Sequence, residues 1–149
     1  MKPESFLIPA LLITATIAIV SCSKSSSGSK PTLKLQSINT NVEAGGNLNA
    51  LFSFSTSSAD LSQGTFVAIR NRLNVIPLPP GTANTDTLTG VVPDFPSVTK
   101  GQFQYQLPYS YLHESDAEND TIVFKFAVID PAGISSDTLT TPQIVIQYQ

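Results

Sequence analysis

Alternation of apolar and polar side chains with a period of two, repeated between turn residues, is the feature that most restricts what this chain can fold into. Leu48, Ala50, Phe52 and Phe54 share one parity, and Phe103, Tyr105 and Leu107 do the same against Gln102, Gln104 and Gln106. Period two puts alternate side chains on one face of a strand, so each segment reads as a strand with one side toward a core. Ile122, Phe124, Phe126 and Val128 repeat the pattern, but Val123, Ala127 and Ile129 make the other face apolar too and leave Lys125 as its polar residue. That strand is expected at the centre of a sheet. Further strands are expected at 32–38, 64–73, near 85–92 and at 138–148, where Ile144, Ile146 and Tyr148 share a parity. Gly45-Gly46, Ser62 to Gly64, Pro79-Pro80-Gly81, Lys100-Gly101 and Pro131-Ala132-Gly133 supply the breaks. No segment after residue 21 carries a helical stripe.

Seven short strands within 32–149 predict an all-β, antiparallel sandwich of immunoglobulin or fibronectin type III character. The stretch NDTIVFKFAVIDPAGISSDTLTTPQIVI, Asn119 to Ile146, resembles the last two strands of Ig-like domains in small Bacteroidota lipoproteins. In those, an apolar strand ends in Asp, turns through a Gly-containing loop and returns as a Ser/Thr-rich strand. The resemblance implies an Ig-like β-sandwich. The core Trp, the cysteine pair and a Tyr placed for a tyrosine corner are absent, so the antibody-like branch is not indicated.

Residues 1–21 read as a targeting segment, with Lys2 ahead of an uncharged run from Phe6 to Val20. A helix crossing a bilayer needs roughly twenty apolar residues, which this run does not reach. Ile19-Val20-Ser21-Cys22 resembles the lipobox of bacterial lipoproteins. What the resemblance implies is diacylglycerol transfer to the Cys22 sulfur, cleavage after Ser21, acylation of the new amino terminus, and so a membrane held through lipid at Cys22. Several acyl chains make a stable anchor where one is marginal. Residues 22–31 are then the lipidated cysteine and a flexible linker of Ser, Gly and Lys, and 32–149 the sandwich domain. Cys22 is the sole cysteine, so a disulfide framework or a cysteine zinc site is excluded from the fold. Between Ser23 and Val42 there is no Asp or Glu, while Lys24, Lys30 and Lys34 are present. Surface-exported lipoproteins of the Bacteroidota often carry an acidic signal there. The expected address is therefore the outer membrane with the domain facing the periplasm, the cell surface being the alternative.

Beyond residue 21 the chain carries seven basic and ten acidic residues, the basic ones scattered, which leaves no electrostatic footprint for nucleic acid. His113 is the one histidine, in the polar connection YLHESDAEND, where it reads as solvated. No Gly-x-Ser-x-Gly elbow or phosphate-binding glycine loop is present, and the chain is not expected to be an enzyme. Asp116, Glu118 and Asp120 offer clustered carboxylates of the kind calcium takes, or a solvated acidic edge. Asp60 and Asp130 are expected at the opposite end of the sandwich. Asp86-Thr87-Leu88, Asp120-Thr121-Ile122 and Asp137-Thr138-Leu139 resemble the Asp-Ser/Thr-apolar acceptor of Bacteroidota O-glycosylation, which implies Thr87, Thr121 and Thr138 as acceptors; the plain alternative is a turn Asp opening a strand. The leading function is a lipid-anchored envelope protein whose Ig-like module binds a partner protein or glycan. The alternative is a carbohydrate-binding or adhesive domain with Tyr105, Tyr109, Tyr111 or Phe95 as stacking platforms. A calcium-stabilised structural module comes third.

Overall fold

The computed structural model describes residues 30–56, 61–95 and 99–148. The alternating segments form two sheets. One is three-stranded, with β1 (Thr32–Ile38), β3 (Asn47–Ser55) and β6 (Lys100–Pro108) in the order β1-β3-β6, all antiparallel. The other holds β2 (Asn41–Val42), β4 (Thr65–Arg72), β5 (Thr85–Val91), β7 (Asp120–Ile129) and β9 (Ile144–Ile146) in the order β2-β9-β7-β4-β5, while β8 (Leu139–Thr140) also pairs with β7. The hairpin β4-β5 stays within its sheet; the connections β3-β4, β5-β6 and β6-β7 each cross to the other sheet. β7 is central, paired with β4 on one side and with β8 and β9 on the other, as expected from its two apolar faces.

The core lies between the sheets, where each strand contributes one parity. Leu48, Ala50, Phe52 and Phe54 meet Phe66, Ala68, Ile122, Phe124, Phe126 and Val128, all buried. Phe52 bridges the two sheets, with ring centroids 4.9 Å from Phe126, 5.4 Å from Phe103 and 5.5 Å from Phe66. Aromatic pairs at these separations add to the free energy of plain area burial. Gly64 closes one end of the sandwich: a Cβ there would stand 2.5 Å from the Ile129 carbonyl oxygen and 2.8 Å from that of Leu61, so no larger residue fits.

Four features depart from the strand pattern read in the sequence. Lys100 and Gly101, read as a break, open β6 and pair with Ser55 and Phe54. The segment 138–148 is two short strands, because Pro142 has no N–H for the ladder. Hydroxyl groups substitute for main-chain acceptors around this break. Ser136 Oγ accepts from Val128 N at 3.0 Å and Thr141 Oγ1 from Phe124 N at 3.0 Å, which gives the Ser/Thr-rich return strand a physical role. β2 is an additional strand, only two residues long and parallel to β9. The chain reaches it by switching sheets after Ile38, and Asn39 ties the switch. Its side-chain amide donates to the carbonyls of Asn41 (3.1 Å) and Asn47 (3.0 Å), and its Oδ1 accepts from Asn49 N at 2.7 Å. Finally, α1 (Tyr109–Leu112) is a single helical turn that buries Leu112. Among the described residues no helix is long and apolar enough to cross a membrane.

The pairings also define two ends. The chain enters at Thr32 opposite Ser55 and beside Lys100, and this entry end also holds Gly64, Val92 and Asp130. The far end gathers the turn 43–46, the β4-β5 loop (73–84), the α1 connection (109–119) and Gln147-Tyr148. Hydrogen bonds from Tyr109 N to Gly46 O (2.9 Å), Leu73 N to Thr121 O (2.7 Å) and Tyr148 N to Asn119 Oδ1 (2.7 Å) join them.

Candidate functional site

The far end is built on charged side chains where a sandwich core is usually apolar. On β4 the parity of Phe66 and Ala68 continues into Arg70 and Arg72, so both guanidinium groups point inward and both residues are buried. Isolated charges there are costly, so partners must converge on them. Asp86 lies directly across from Arg70 on β5 and takes it in a two-pronged grip, Nε to Oδ1 at 3.0 Å and Nη2 to Oδ2 at 2.8 Å. Arg70 Nη1 donates to the Tyr111 carbonyl at 2.8 Å, and its guanidinium carbon sits 4.7 Å from the Tyr111 ring centroid, a cation-π arrangement. Arg72 donates to Glu114 Oε1 at 2.9 Å, lies 3.4 Å from Asp86 Oδ1 and also donates to the Ala83 carbonyl. Two positive and two negative charges thus form one neutral network joining β4, β5 and the α1 connection. Burial by itself pushes the Asp86 carboxyl up, but the hydrogen bond from Arg70 and the charges of Arg70 and Arg72 outweigh it and hold the group below its ordinary value. Burial pushes the neighbouring Tyr105 phenol up to about 12, with Tyr111 adding to the shift.

A second hub lies beside the first. Asp120, fully buried at the start of β7, accepts four hydrogen bonds. Oδ2 takes His113 Nδ1 (3.0 Å), Glu114 N (2.8 Å) and Ser115 N (3.1 Å), while Oδ1 takes Asn74 Nδ2 (2.9 Å). Glu118 Oε1 accepts from Ile76 N at 2.7 Å. Asn74 and Ile76 belong to the β4-β5 loop, so two acidic residues of the α1 connection region pin that loop in place.

These contacts relocate most of the residues singled out in the sequence. Asp116, Glu118 and Asp120 do not converge on a common point: Asp120 is saturated by donors, Glu118 holds the loop and Asp116 is exposed. Among the described residues no group of three or more His, Cys, Asp or Glu is arranged to hold a metal ion. His113 is packed rather than solvated, stacked on Tyr109 at 5.0 Å and bound to Asp120. Asp130 lies at the entry end, its Oδ1 accepting from Ile134 N at 2.7 Å. Tyr105 packs on Phe66 and Phe126 in the core, Phe95 packs on Phe54, and Tyr109 donates its hydroxyl to Gln147 O at 2.8 Å. Of the four aromatic platforms, Tyr111 alone exposes a large fraction of its surface, 38%, while it covers Arg70. Thr87 and Thr138 are exposed, and Thr121 is half-buried in the central strand. Cys22, the segment 1–21 and Asp60 lie outside the described residues.

Two surfaces escaped the sequence reading. At the far end Leu73, Val75 and Ile76 are exposed by 45%, 89% and 41%; the signal was present in the uncharged run LNVIPLPPGTAN but read only as a break. The second is the outer face of the three-stranded sheet, which is polar apart from Leu51 and the edge residue Pro108. Gln104 and Gln106 both donate to Asn49 Oδ1, at 3.2 and 3.0 Å, and Gln36 donates to Ser53 Oγ at 2.6 Å. A shallow depression of about 600 Å³ on this side is bordered by Lys34, Ser53, Ser55, Lys100 and Gln102.

Two sheets, antiparallel except for the short β2-β9 pair, joined by these crossings define an Ig-like β-sandwich. No protein-family model matches the chain, and no curated protein sequence matches it. Among solved structures it is similar to a β-glucosidase from Listeria innocua in complex with gluconolactone, with a TM-score of 0.44 and 10% identity over 82% of this chain. The chain spans 16% of the length of that enzyme. It is also similar to a cohesin module from a Clostridium perfringens ATCC13124 family 33 glycoside hydrolase, with a TM-score of 0.40 and 8% identity over 80% of this chain and 98% of that one. Likenesses at this level transfer no activity, ligand or partner.

Proposed function

We propose that this chain is a non-enzymatic binding module, held in the cell envelope through lipid on Cys22, that contacts a partner protein through the far end of its sandwich. The observation that carries this reading is the pairing of exposed apolar side chains at 73–76 with two buried charge networks that hold their loop still. A buried ion network is weak evidence for stability and is better understood as fixing one arrangement. Here it fixes a surface. The acidic groups of this end are engaged structurally, Asp86 and Glu114 with arginines and Asp120 with four donors, which supports binding over acid-base chemistry. The proposed address, outer membrane with the domain toward the periplasm, rests on the lipobox-like tetrapeptide and the acid-free stretch after it.

A second reading, glycan binding, is favoured by one observation, the polar amide-rich face and its depression at Lys34 and Lys100. Crosslinking in the native envelope with identification of the linked species, together with a glycan array, separates the two. A protein adduct and a blank array support the first; array binding lost in Lys34→Ala/Gln102→Ala supports the second. Fatty-acid labelling must disappear in Cys22→Ala, and labelling that persists removes the anchor. Intact mass of the native protein tests glycosylation at Thr87, Thr121 or Thr138: a mass equal to polypeptide plus lipid removes it.

A further inference from the structure

The β4-β5 loop is unusual in combining exposure, apolarity and restraint. From Leu73 to Asn84 it has no charged residue, and Val75, at 89% exposure, is the most exposed large apolar side chain among the described residues. An apolar loop tip left free in water would normally be mobile, yet this one is tied along its length. Leu73 N donates to Thr121 O, Asn74 to Asp120, Ile76 N to Glu118, and Arg72 reaches the carbonyl of Ala83. Pro79 to Thr82 form a tight turn closed at 3.1 Å, with Pro80 preceding Gly81 at φ 94°, the backbone a type II turn requires. Pro77, Pro79 and Pro80 remove further freedom from the unbound chain. A restrained segment loses little entropy on docking, which is how pre-organisation raises affinity.

We infer that the loop 73–84 is a pre-formed docking element, with Val75 and Ile76 as anchors, for a partner protein that presents an apolar groove rimmed by basic residues. This deepens the binding-module reading above and rests on it. The shape of the partner follows from the shape of the loop, since a convex apolar tip buries most area in a concavity. Its charge follows from what surrounds the tip. Asp116 is exposed at this end, Glu118, which meets the Ile76 N–H, is half-exposed, both arginines are buried and paired, and no lysine occurs between Lys34 and Lys100. The same acidic surround disfavours an anionic lipid surface.

The test places a photoreactive benzoylphenylalanine at position 75, 34 or 87 of the full chain in its native envelope, and then measures binding of the identified, purified adduct partner. The expected result is a protein adduct from position 75. Val75→Ser/Ile76→Ser should then weaken the purified complex by about tenfold, the size of loss typical of an anchor. Lys34→Ala should change it less than about twofold, as a residue outside the contact does, and Asp116→Asn should slow association. The double variant should keep the wild-type melting temperature, because its side chains are exposed. Adducts from 34 or 87 but not from 75 overturn the loop assignment and leave the binding module standing. No adduct from any position overturns both. Binding to phosphatidylglycerol-phosphatidylethanolamine vesicles that is lost in the double variant overturns the protein partner in favour of a membrane.

Discussion

Asp120 is the residue whose loss should be felt most widely, and its contacts allow the effect to be sized. Asp120→Ala strips the acceptor from the main-chain N–H groups of Glu114 and Ser115 and from the side chains of His113 and Asn74. A buried donor left unmet costs about 1–3 kcal/mol, so two main-chain donors and two side-chain donors together should cost about 3–5 kcal/mol, allowing for partial access of water to the Glu114 amide and the His113 ring. Asp120→Asn keeps the shape and one acceptor at the Oδ2 position. Its amide nitrogen would face Asn74, whose Oδ1 is buried without a partner among the described residues; a flip of the Asn74 amide restores the bond and leaves Nδ2 in place of Oδ1 as the unmet atom, with no net loss of hydrogen bonds. The conservative change should therefore cost only about 1 kcal/mol, the difference between a charged and a neutral acceptor. The chain has no Trp and four Tyr, so urea unfolding followed by tyrosine fluorescence is the natural assay. Amide exchange should show 73–76 and 113–118 opening together in Asp120→Ala. Equal costs for the two substitutions, or an Asp120→Ala variant within about 1 kcal/mol of wild type, would refute the account of Asp120 as a shared acceptor.

Other outcomes follow from single sites. Gly64→Ala forces a methyl group against main-chain oxygens that cannot turn aside, so a drop of about 2–3 kcal/mol in unfolding free energy is expected, as for other overpacked positions. Because Asp86 is held below its ordinary value of 3.8, the unfolded chain binds its proton first as pH falls. Its contribution is thus complete above that value and is lost below it, and Asp86→Asn should be less stable at pH 7 but show a shallower acid slope than wild type in pH-dependent unfolding. Tyr105 has the opposite sense: with a phenol at about 12 against an ordinary 10.0, its contribution is complete below pH 10 and fades as pH rises toward 12. Ultraviolet titration should show one late-ionising tyrosine that disappears in Tyr105→Phe; an unchanged titration curve would contradict its burial.

The strands with one buried face were legible because burial on one side of a sheet imposes period two on the sequence, as in Leu48 to Phe54 and Phe103 to Leu107. The central place of β7 was legible from its second apolar face. β2 was not, because two residues cannot display a period and its pairing is made by chain segments more than one hundred residues apart. The division of 138–148 turned on Pro142, with the Thr141 hydroxyl accepting from Phe124 N where a continuous strand would have offered a main-chain oxygen.

What the sequence determined by itself was therefore the class of fold, most of its breaks, though not those at Lys100-Gly101 and Pro142, and the lipobox-like tetrapeptide at Cys22, since each is written in neighbouring residues. Only the tertiary structure decided the meaning of the charges. Arg70 and Arg72 carry the parity of a core face, and nothing local says that Asp86, Glu114 and the Tyr111 carbonyl will meet them there. Asp120 reads as one of an acidic trio until four donors from two other segments close on it. A charge inside a protein is tolerable only with partners, and which partners arrive is settled by how the two sheets cross, not by what precedes or follows it in the chain.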